Sequence, residues 1–251
     1  MSNNFNKKMK LQSGPIPVYY QLQNELKKYI EEGVWGPGES IPSSRNIAET
    51  YSVSMGTVQK AVANLEKEKY LYCVQGKGTF VATTGITQES LRYTLLREDF
   101  EGEDLTFKVK ILGIDAIKGL QAANNYLKIA KDEQLYCVKR VFMSKNKPIV
   151  YNISYLPYNM FNDFKDKVAK FIDRMTMYEV IEQKYGLPTV RNKELFGIAE
   201  ADNDVADVLK VEKGKKLLMT EMLSYTYKDK PYEYRISYWV TDKRKLFREM
   251  I

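Results

Sequence analysis

The second part of the chain contains an internal repeat, and this repeat leaves few folds open. In the first copy, Leu127-Lys-Ile-x-Lys131 precedes an apolar stretch at 135–143, a turn at Lys145-Asn-Lys-Pro148 and the sequence Ile153-Ser-Tyr155. In the second copy, Leu209-Lys-Val-x-Lys213 precedes a stretch at 217–227, a turn at Lys228-Asp-Lys-Pro231 and the sequence Ile236-Ser-Tyr238. Each copy predicts a helix end followed by a β-hairpin. Two copies predict one antiparallel sheet with pseudo-twofold symmetry and helices packed on it, whereas a period of roughly 80 residues is too long for a solenoid.

The first 82 residues have a different pattern, which predicts three helices and a hairpin. Apolar residues recur three and four positions apart between Val18 and Glu32, and Ser43 and Ser54 stand where two further helices would begin. Two short strands are then predicted around Gln75-Gly76-Lys77-Gly78, which is typical of a tight turn. This order predicts a winged helix-turn-helix.

Together the two patterns predict an α+β protein of two domains. The predicted boundaries are residues 1–82 for the winged helix-turn-helix, 83–91 for a linker and 92–251 for the domain built on the antiparallel sheet. The second domain also contains a predicted helix at 177–185, between the two copies of the repeat.

Composition excludes several kinds of site. The absence of histidine rules out His-dependent nucleophiles, His general bases and His-ligated metals. Cys73 and Cys137 are not spaced as a metal or redox pair, so we expect reduced thiols, no metal site and no cofactor. No apolar stretch approaches the roughly 20 residues that cross a bilayer, which predicts a cytoplasmic protein with no membrane partner. The net charge of +7 permits a nucleic-acid partner without establishing one.

The third predicted helix would carry the DNA contacts, because a recognition helix places its N-terminal residues against base edges in the major groove. Gln59 can bond adenine bidentately, and Met55 can pack on a thymine methyl. Arg45 could reach a phosphate or a base, and Lys77 a phosphate or the minor groove. The predicted DNA-binding residues are Ser43, Arg45, Ser54, Met55, Gly56, Thr57, Gln59, Lys60, Gly76 and Lys77. The alternatives are pure helix capping by Ser43 and Ser54, packing of Met55 on Tyr51 and a solvated turn at Lys77.

Residues 15–82 resemble the DNA-binding domain of the GntR family of bacterial regulators. The matching elements are Pro17-x-Tyr19-x-Gln21-Leu22, Gly33-x-Trp35-x-Pro37-Gly38, Ile41-Pro42-Ser43-x-Arg45-x-x-Ala48, Val53-Ser54-x-x-Thr57-Val58-x-Lys60-Ala61 and Gln75-Gly76-Lys77-Gly78-Thr79-Phe80-Val81. The resemblance implies a double-stranded DNA operator bound by a homodimer. The family usually carries Arg at the positions of Met55 and Gln59, so its base contacts do not carry over. The uncharged pair predicts an operator with more A·T pairs, read through adenine and the thymine methyl, than is the norm in the family.

From about Arg92 to Phe247 the chain resembles the effector-binding UTRA domain of the HutC subfamily, whose fold is similar to that of chorismate lyase. The matching elements include Val138-x-Arg140, Tyr155-Leu156-Pro157, Met177-Tyr178-x-x-Ile181, Ala206-x-x-Leu209-x-Val211 and Pro231-x-Glu233-Tyr234. Arg140 is the candidate anion anchor, because a guanidinium matches a carboxylate or phosphate. The resemblance adds the positions of Asn152, Thr176, Tyr178, Glu233 and Trp239 to the pocket.

Two departures bear on the effector. Family members that bind sugar phosphates often have a second Arg where this chain has Phe142, and Glu where it has Asn152. Arg235 stands at the repeat position equivalent to Asn152 and shares strand parity with Glu233 and Trp239, so it could replace the missing cation. The alternatives are a surface ion pair for Arg140, ordinary sheet and cap chemistry for Asn152, Thr176 and Glu233, and core packing for Tyr178 and Trp239.

These features predict a ligand-responsive transcriptional regulator, a repressor released from its operator by a small polar metabolite such as a sugar phosphate. An enzyme is the rival class, because the second domain resembles an enzyme fold. Fold does not imply activity, however, and the chain has no histidine and no carboxylate partner for Glu233 at a paired spacing. A third alternative is a DNA-binding protein whose pocket is vestigial and serves only dimerisation.

Overall fold

The computed structural model describes residue 11 and residues 14–84, 96–102, 105–161, 163–168, 171 and 176–247 of the chain. Residues 85–91 of the predicted linker, which begins at residue 83, and the predicted start of the second domain at Arg92 lie outside the described residues.

The N-terminal part is the predicted winged helix-turn-helix. Its elements are α1 (Val18–Glu31), α2 (Ser44–Tyr51), α3 (Met55–Lys67), β1 (Leu71–Val74) and β2 (Gly78–Val81). The predicted end of α1, Glu32, is one residue too late. The apolar stripe of α1, with Leu22 and Leu26 fully buried, packs against Ile47, Val58 and Leu65 from the other two helices.

The turn between α2 and α3 follows from its polar residues. Ser52 ends α2 in the left-handed conformation at φ 53°, and Ser54 begins α3 by accepting a hydrogen bond from the backbone N–H of Thr57 at 3.2 Å. Ser43 caps α2 in the same way, from the N–H of Asn46 at 3.2 Å. The predicted N-caps are therefore confirmed, and they fix the residues at which α2 and α3 begin.

The second domain is built on one six-stranded antiparallel sheet. Its elements are β3 (Leu96–Arg97), β4 (Lys108–Ile117), α4 (Gln121–Leu127), β5 (Leu135–Ser144), β6 (Lys147–Pro157), α5 (Phe164–Val168), α6 (Met177–Tyr185), β7 (Arg191–Glu200), α7 (Asn203–Leu209), β8 (Lys216–Thr226), β9 (Lys230–Trp239) and β10 (Lys245–Leu246). The strand order is β4-β5-β6-β9-β8-β7, and β3 pairs separately with β10.

This order has the predicted pseudo-twofold symmetry. The central pair is β6 and β9, where Ile153 stands opposite Ile236, so the two copies of the repeat meet at their equivalent residues. The sequence pattern missed the outer strands, since each unit is a strand, a short helix and a hairpin rather than a helix and a hairpin alone.

The two faces of the sheet are covered differently. Helices α4 and α7 pack on one face, against residues such as Tyr234 and Tyr151. On the other face, α5 and α6 cover one end through an apolar cluster that includes Tyr136, Leu156 and Ile181. A second apolar cluster, which includes Leu96, Val150 and Trp239, covers the opposite end of that face. The strip between these two clusters carries polar side chains.

None of the helices within the described ranges is both long and apolar enough to cross a membrane. Among the described side chains there is also no cluster of three or more acidic or Cys residues that could hold a metal ion.

Candidate functional site

The first candidate surface is the N-terminal half of α3. Val58, Ala61 and Leu65 are fully buried on its inner side, while Gly56, Gln59 and Lys60 are exposed on its outer side. Met55 is 44% exposed, so a large part of its side chain is accessible. This side of the helix can therefore approach a DNA groove without rearrangement of the domain.

The hydroxyls at the start of α2 and α3 serve the helices themselves. Ser43 and Ser54 each accept a capping bond, and the Ser54 and Thr57 hydroxyls lie 2.9 Å apart. This supports the capping alternative for both serines. Both residues are nevertheless exposed, so a phosphate contact from them stays a prediction.

Exposed cations surround this helix. Arg45 forms an i,i+4 pair with Glu49 at 3.1 Å, and both side chains are largely in solvent, where such a pair contributes little to stability. The ammonium of Lys60 lies 3.9 Å from the centroid of the Tyr19 ring. Lys77 stands exposed at the wing tip between Gly76 and Gly78, whose positive φ values of 74° and 122° allow the tight turn.

The second candidate site is the strip of polar side chains on the sheet, which we call the polar belt. Residues directly opposite in antiparallel strands project to one face, and residues two apart on a strand share that face. The ladder places Arg140 opposite Asn152, Asn152 opposite Ser237, and Ser237 opposite Thr220. The next rows on the same face pair Ser154 with Arg235 and Ser224 with Glu233. The polar belt therefore consists of Arg140, Asn152, Ser154, Thr220, Ser224, Glu233, Arg235 and Ser237.

Within the belt, Arg235 and Glu233 neutralise each other. Arg235 donates from Nη2 to both Glu233 carboxylate oxygens, at 2.7 and 2.9 Å, and from Nε to Oε1 at 2.9 Å. Glu233 is fully buried, and Ser224 Oγ lies 3.4 Å from its other oxygen. Burial alone would lower the pKa of Arg235, but the Glu233 carboxylate outweighs it and the pKa of Arg235 is raised. The guanidinium also lies 5.0 Å from the ring centroid of Tyr178 on α6.

Arg140 is in the opposite situation. Its side chain is buried, at 4% exposure, yet its Nε and Nη2 atoms have no hydrogen-bond partner among the described residues. The Oδ1 atom of the adjacent Asn152 is likewise buried without a described partner. Burial, together with repulsion from Arg235, lowers the pKa of Arg140 to about 10, which still leaves it charged at neutral pH. Burying a donor and an acceptor without hydrogen-bond partners lowers the stability of the fold, unless a ligand supplies those partners.

The other predicted pocket residues lie at the edges of the belt. Phe142 and Trp239 belong to the adjoining apolar cluster, and the Trp239 indole donates to Thr220 Oγ1 at 3.1 Å. Tyr178 packs in the opposite cluster, where burial raises its pKa to about 12. Thr176 forms a capping box with Glu179 at the start of α6, which supports its cap alternative. Four belt residues were not predicted, namely Ser154, Thr220, Ser224 and Ser237, although strand parity with Arg140 and Glu233 could have found them.

Comparison with known families identifies both parts of the chain. The sequence model of the UTRA domain family matches residues 103–245, more than half of the chain. The model described as "Bacterial regulatory proteins, gntR family" matches residues 18–81. The chain belongs to the GntR family. It combines the two domains in the HutC-type arrangement, and it is a ligand-responsive transcriptional regulator rather than an enzyme, as the sequence predicted.

Relatives of this GntR-family regulator match over nearly their whole length. The HTH-type transcriptional repressor NagR of Bacillus subtilis is 25% identical, over 91% of this chain and 93% of its own. The mannosyl-D-glycerate transport/metabolism system repressor MngR of Escherichia coli is 22% identical, over 92% and 95%. Among solved structures, the regulator YydK of Bacillus subtilis shares the fold with a TM-score of 0.54 at 22% identity, over 94% of this chain and all of that one.

The two domains of the regulator meet at α6. Glu182 on that helix accepts a hydrogen bond from the hydroxyl of Thr83 at 2.5 Å and from the backbone N–H of Thr84 at 3.1 and 3.2 Å. Thr84 Oγ1 in turn accepts from the N–H of Thr189, whose hydroxyl hydrogen-bonds the buried Tyr232. We call this contact the domain junction.

Aromatic residues extend the domain junction. The rings of Tyr70, at the end of the helical part of the DNA-binding domain, and Tyr227, after β8, are stacked with centroids 4.4 Å apart. The backbone N–H of Lys228 donates to the carbonyl of Glu68 at 3.0 Å. The segment that leaves the wing is thus held by α6, the helix whose Tyr178 lies beside Arg235 of the polar belt.

Proposed function

We propose that this regulator is a cytoplasmic repressor that binds a pseudo-palindromic operator as a homodimer and leaves it when a small anionic metabolite occupies the polar belt. A dimer would place its two α3 helices in successive major grooves, about 34 Å apart. NagR and MngR are repressors by name, and the name of MngR refers to a sugar derivative. The name of MngR favours a sugar-derived effector.

The observation that carries the proposal is the position of α6. Near its start, Tyr178 lies over Arg235 in the polar belt, and one turn further on, Glu182 holds Thr83 and Thr84 at the exit of the DNA-binding domain. A ligand that moves α6 would change the contact that orients that domain. Ligand binding can then favour one arrangement of the two recognition helices by as much as its affinity differs between arrangements.

The proposed division of labour follows the predicted boundaries of residues 1–82, 83–91 and 92–251. On the DNA side, Met55 and Gln59 would face the bases, while Arg45, Lys60 and Lys77 would neutralise phosphates. The serines at 43 and 54, Gly56, Thr57 and Gly76 would shape the approach of the backbone to the duplex. Selection from random DNA should return a half-site rich in A·T pairs, and a G·C-rich half-site would contradict these base contacts.

Two substitutions should separate base readout from charge. Gln59→Ala should cost about 1–3 kcal/mol of operator binding and relax the preference at one A·T position. Lys77→Ala should weaken binding to all sequences alike and reduce the slope of log affinity against log salt by about 1. Fluorescence anisotropy with the selected operator and with single-base variants, at several salt concentrations, measures both effects. Equal loss on every sequence for Gln59→Ala would show that Gln59 does not contact a base.

The function itself is tested by operator binding with and without ligand. Light scattering should show that the protein is a dimer. The purified protein should retard the selected operator in a gel. A metabolite that raises the melting temperature of the protein should also release the operator. A protein that never binds a selected DNA, or that turns the metabolite over, would contradict the proposal.

A further inference from the structure

The polar belt has an uneven charge balance. It contains two guanidinium groups, Arg140 and Arg235, and one carboxylate, Glu233. Arg235 is held by three short bonds to Glu233, so its charge is already compensated. Arg140 has unpartnered Nε and Nη2 atoms, so it contributes one uncompensated positive charge within the described part of the belt.

From this balance we infer that the effector carries a single carboxylate, with an N–H or O–H donor next to it, and not a phosphate. The inference rests on the proposed function, because it names the ligand of the same site. A carboxylate can bond a guanidinium through two parallel N–H···O contacts and cancels one charge. A phosphate monoester carries about −1.5 to −2 at neutral pH, and a buried excess negative charge is costly unless it is paired.

Arg235 cannot easily supply the second cation that a phosphate needs. To turn toward a ligand it would have to leave Glu233, which is fully buried and whose other described contact is Ser224 at 3.4 Å. Leaving a carboxylate buried and unpaired is strongly unfavourable. Strand parity led us to expect that Arg235 would act as the second ligand-binding Arg of the pocket. We infer instead that Arg235 neutralises Glu233.

The donor requirement comes from Asn152. Its Oδ1 atom is buried without a described partner, and Asn152 stands directly opposite Arg140 in the ladder, so the two groups lie side by side on one face of the sheet. A hydroxyl or amide N–H adjacent to a carboxylate would satisfy Asn152 while the carboxylate binds Arg140. Sugar acids and 2-hydroxy acids have this arrangement.

Matched pairs of compounds test the charge of the effector. The full-length protein is titrated by calorimetry with D-glucuronate and D-glucose 6-phosphate, and with D-glycerate and glycerol 3-phosphate, with D-glucose as the uncharged control. We expect at least one carboxylate to bind tenfold or more tightly than its phosphorylated partner, and Arg140→Gln to weaken that binding a hundredfold. Lys139→Gln is the matched control, because Lys139 neighbours Arg140 on β5 and projects to the opposite face.

A second variant tests the role of charge with the same pairs of compounds, so that the shape of the ligand stays constant. Glu233→Gln releases Arg235, so the ratio of phosphate to carboxylate affinity should rise at least tenfold. Tighter binding of the phosphorylated partner by the native protein, or no binding by either carboxylate, would overturn the inference. The proposed function fails in a different way, through loss of operator binding or of release by any compound that binds.

Discussion

Replacing Glu233 with Ala should lower the free energy of unfolding by about 3–5 kcal/mol, whereas replacing Arg140 with Met should not lower it at all. Glu233 is fully buried and is the carboxylate that Arg235 binds through three bonds. Its removal leaves two buried guanidinium groups facing each other without a counter-charge. Breaking a buried pair from one side is costly for that reason.

Arg140→Met should change the free energy of unfolding in the opposite direction, because Arg140 has no paired carboxylate in the described belt. Burial already lowers the pKa of Arg140 to about 10, which means that the charged form is disfavoured where it lies. An unbranched apolar side chain of similar length removes that penalty and should raise stability by about 1 kcal/mol, at the expense of ligand binding.

The chain offers a clean way to measure this contrast. Its two tryptophans lie in different domains, since Trp35 packs in the core of the DNA-binding domain and Trp239 in a cluster on the sheet. In a Trp35→Phe background, urea unfolding followed by fluorescence reports on the sheet domain alone. Equal losses for Glu233→Ala and Arg140→Met would contradict the idea that one arginine is paired and the other is reserved for ligand.

Local patterns were enough to predict the DNA-binding domain and the central strands of the sheet. The stripe of α1, the caps at Ser43 and Ser54 and the glycines of the wing are each decided by neighbours in sequence, so they could be found without the structure. The pseudo-twofold sheet followed from the repeat. The outer strands β4 and β7 were missed because half of their residues are exposed, so they lack the apolar pattern of the central strands.

The candidate pocket was predicted less completely, because its properties depend on pairings across strands. Strand parity placed Glu233 and Arg235 on one face, and the ladder shows that Arg140 and Asn152 share that face. Parity cannot show which of two arginines binds the single carboxylate. That depends on Glu233 and Arg235 being two residues apart on one strand, with side chains long enough to meet.

Residues that join the two domains left no signal in the sequence at all. Glu182 looks like any exposed helix residue, and Tyr227 like any residue at the end of a strand. Their roles arise only because the end of the wing and the end of β8 come together beside α6. Contacts between segments a hundred residues apart have no local pattern from which to infer them.

Glu182→Ala should separate ligand binding from DNA release. Coupling between an effector site and a DNA-binding site is measured as the ratio of operator affinities with and without effector. Allosteric coupling is typically about 5–150-fold, and we expect a ratio in this range for the native regulator. The variant loses the acceptor for the Thr83 hydroxyl and the Thr84 N–H, so this ratio should fall toward 1. Operator affinity without ligand, and ligand affinity without DNA, should each change by only about threefold or less, because Glu182 touches neither surface.

Two further variants show whether the effect belongs to the domain junction. Gln183→Ala changes the adjacent, exposed residue of α6 and should leave the ratio unchanged. Tyr227→Leu keeps an apolar side chain but removes the stack on Tyr70 and the hydroxyl that lies 3.4 Å from the Ala82 carbonyl, so it should reduce the ratio as Glu182→Ala does. The measurement is operator anisotropy at saturating carboxylate ligand, with calorimetry for ligand affinity.

The outcome distinguishes coupling through α6 from coupling through a rearrangement of the dimer alone. If the ligand acts by moving α6 against Thr83 and Thr84, weakening that contact must reduce the response even though both binding sites remain intact. If the two DNA-binding domains are instead re-oriented only by a change between subunits, Glu182→Ala and Tyr227→Leu would leave the ratio of operator affinities at its native value. A native ratio in both variants would therefore exclude the domain junction as the route by which this regulator responds.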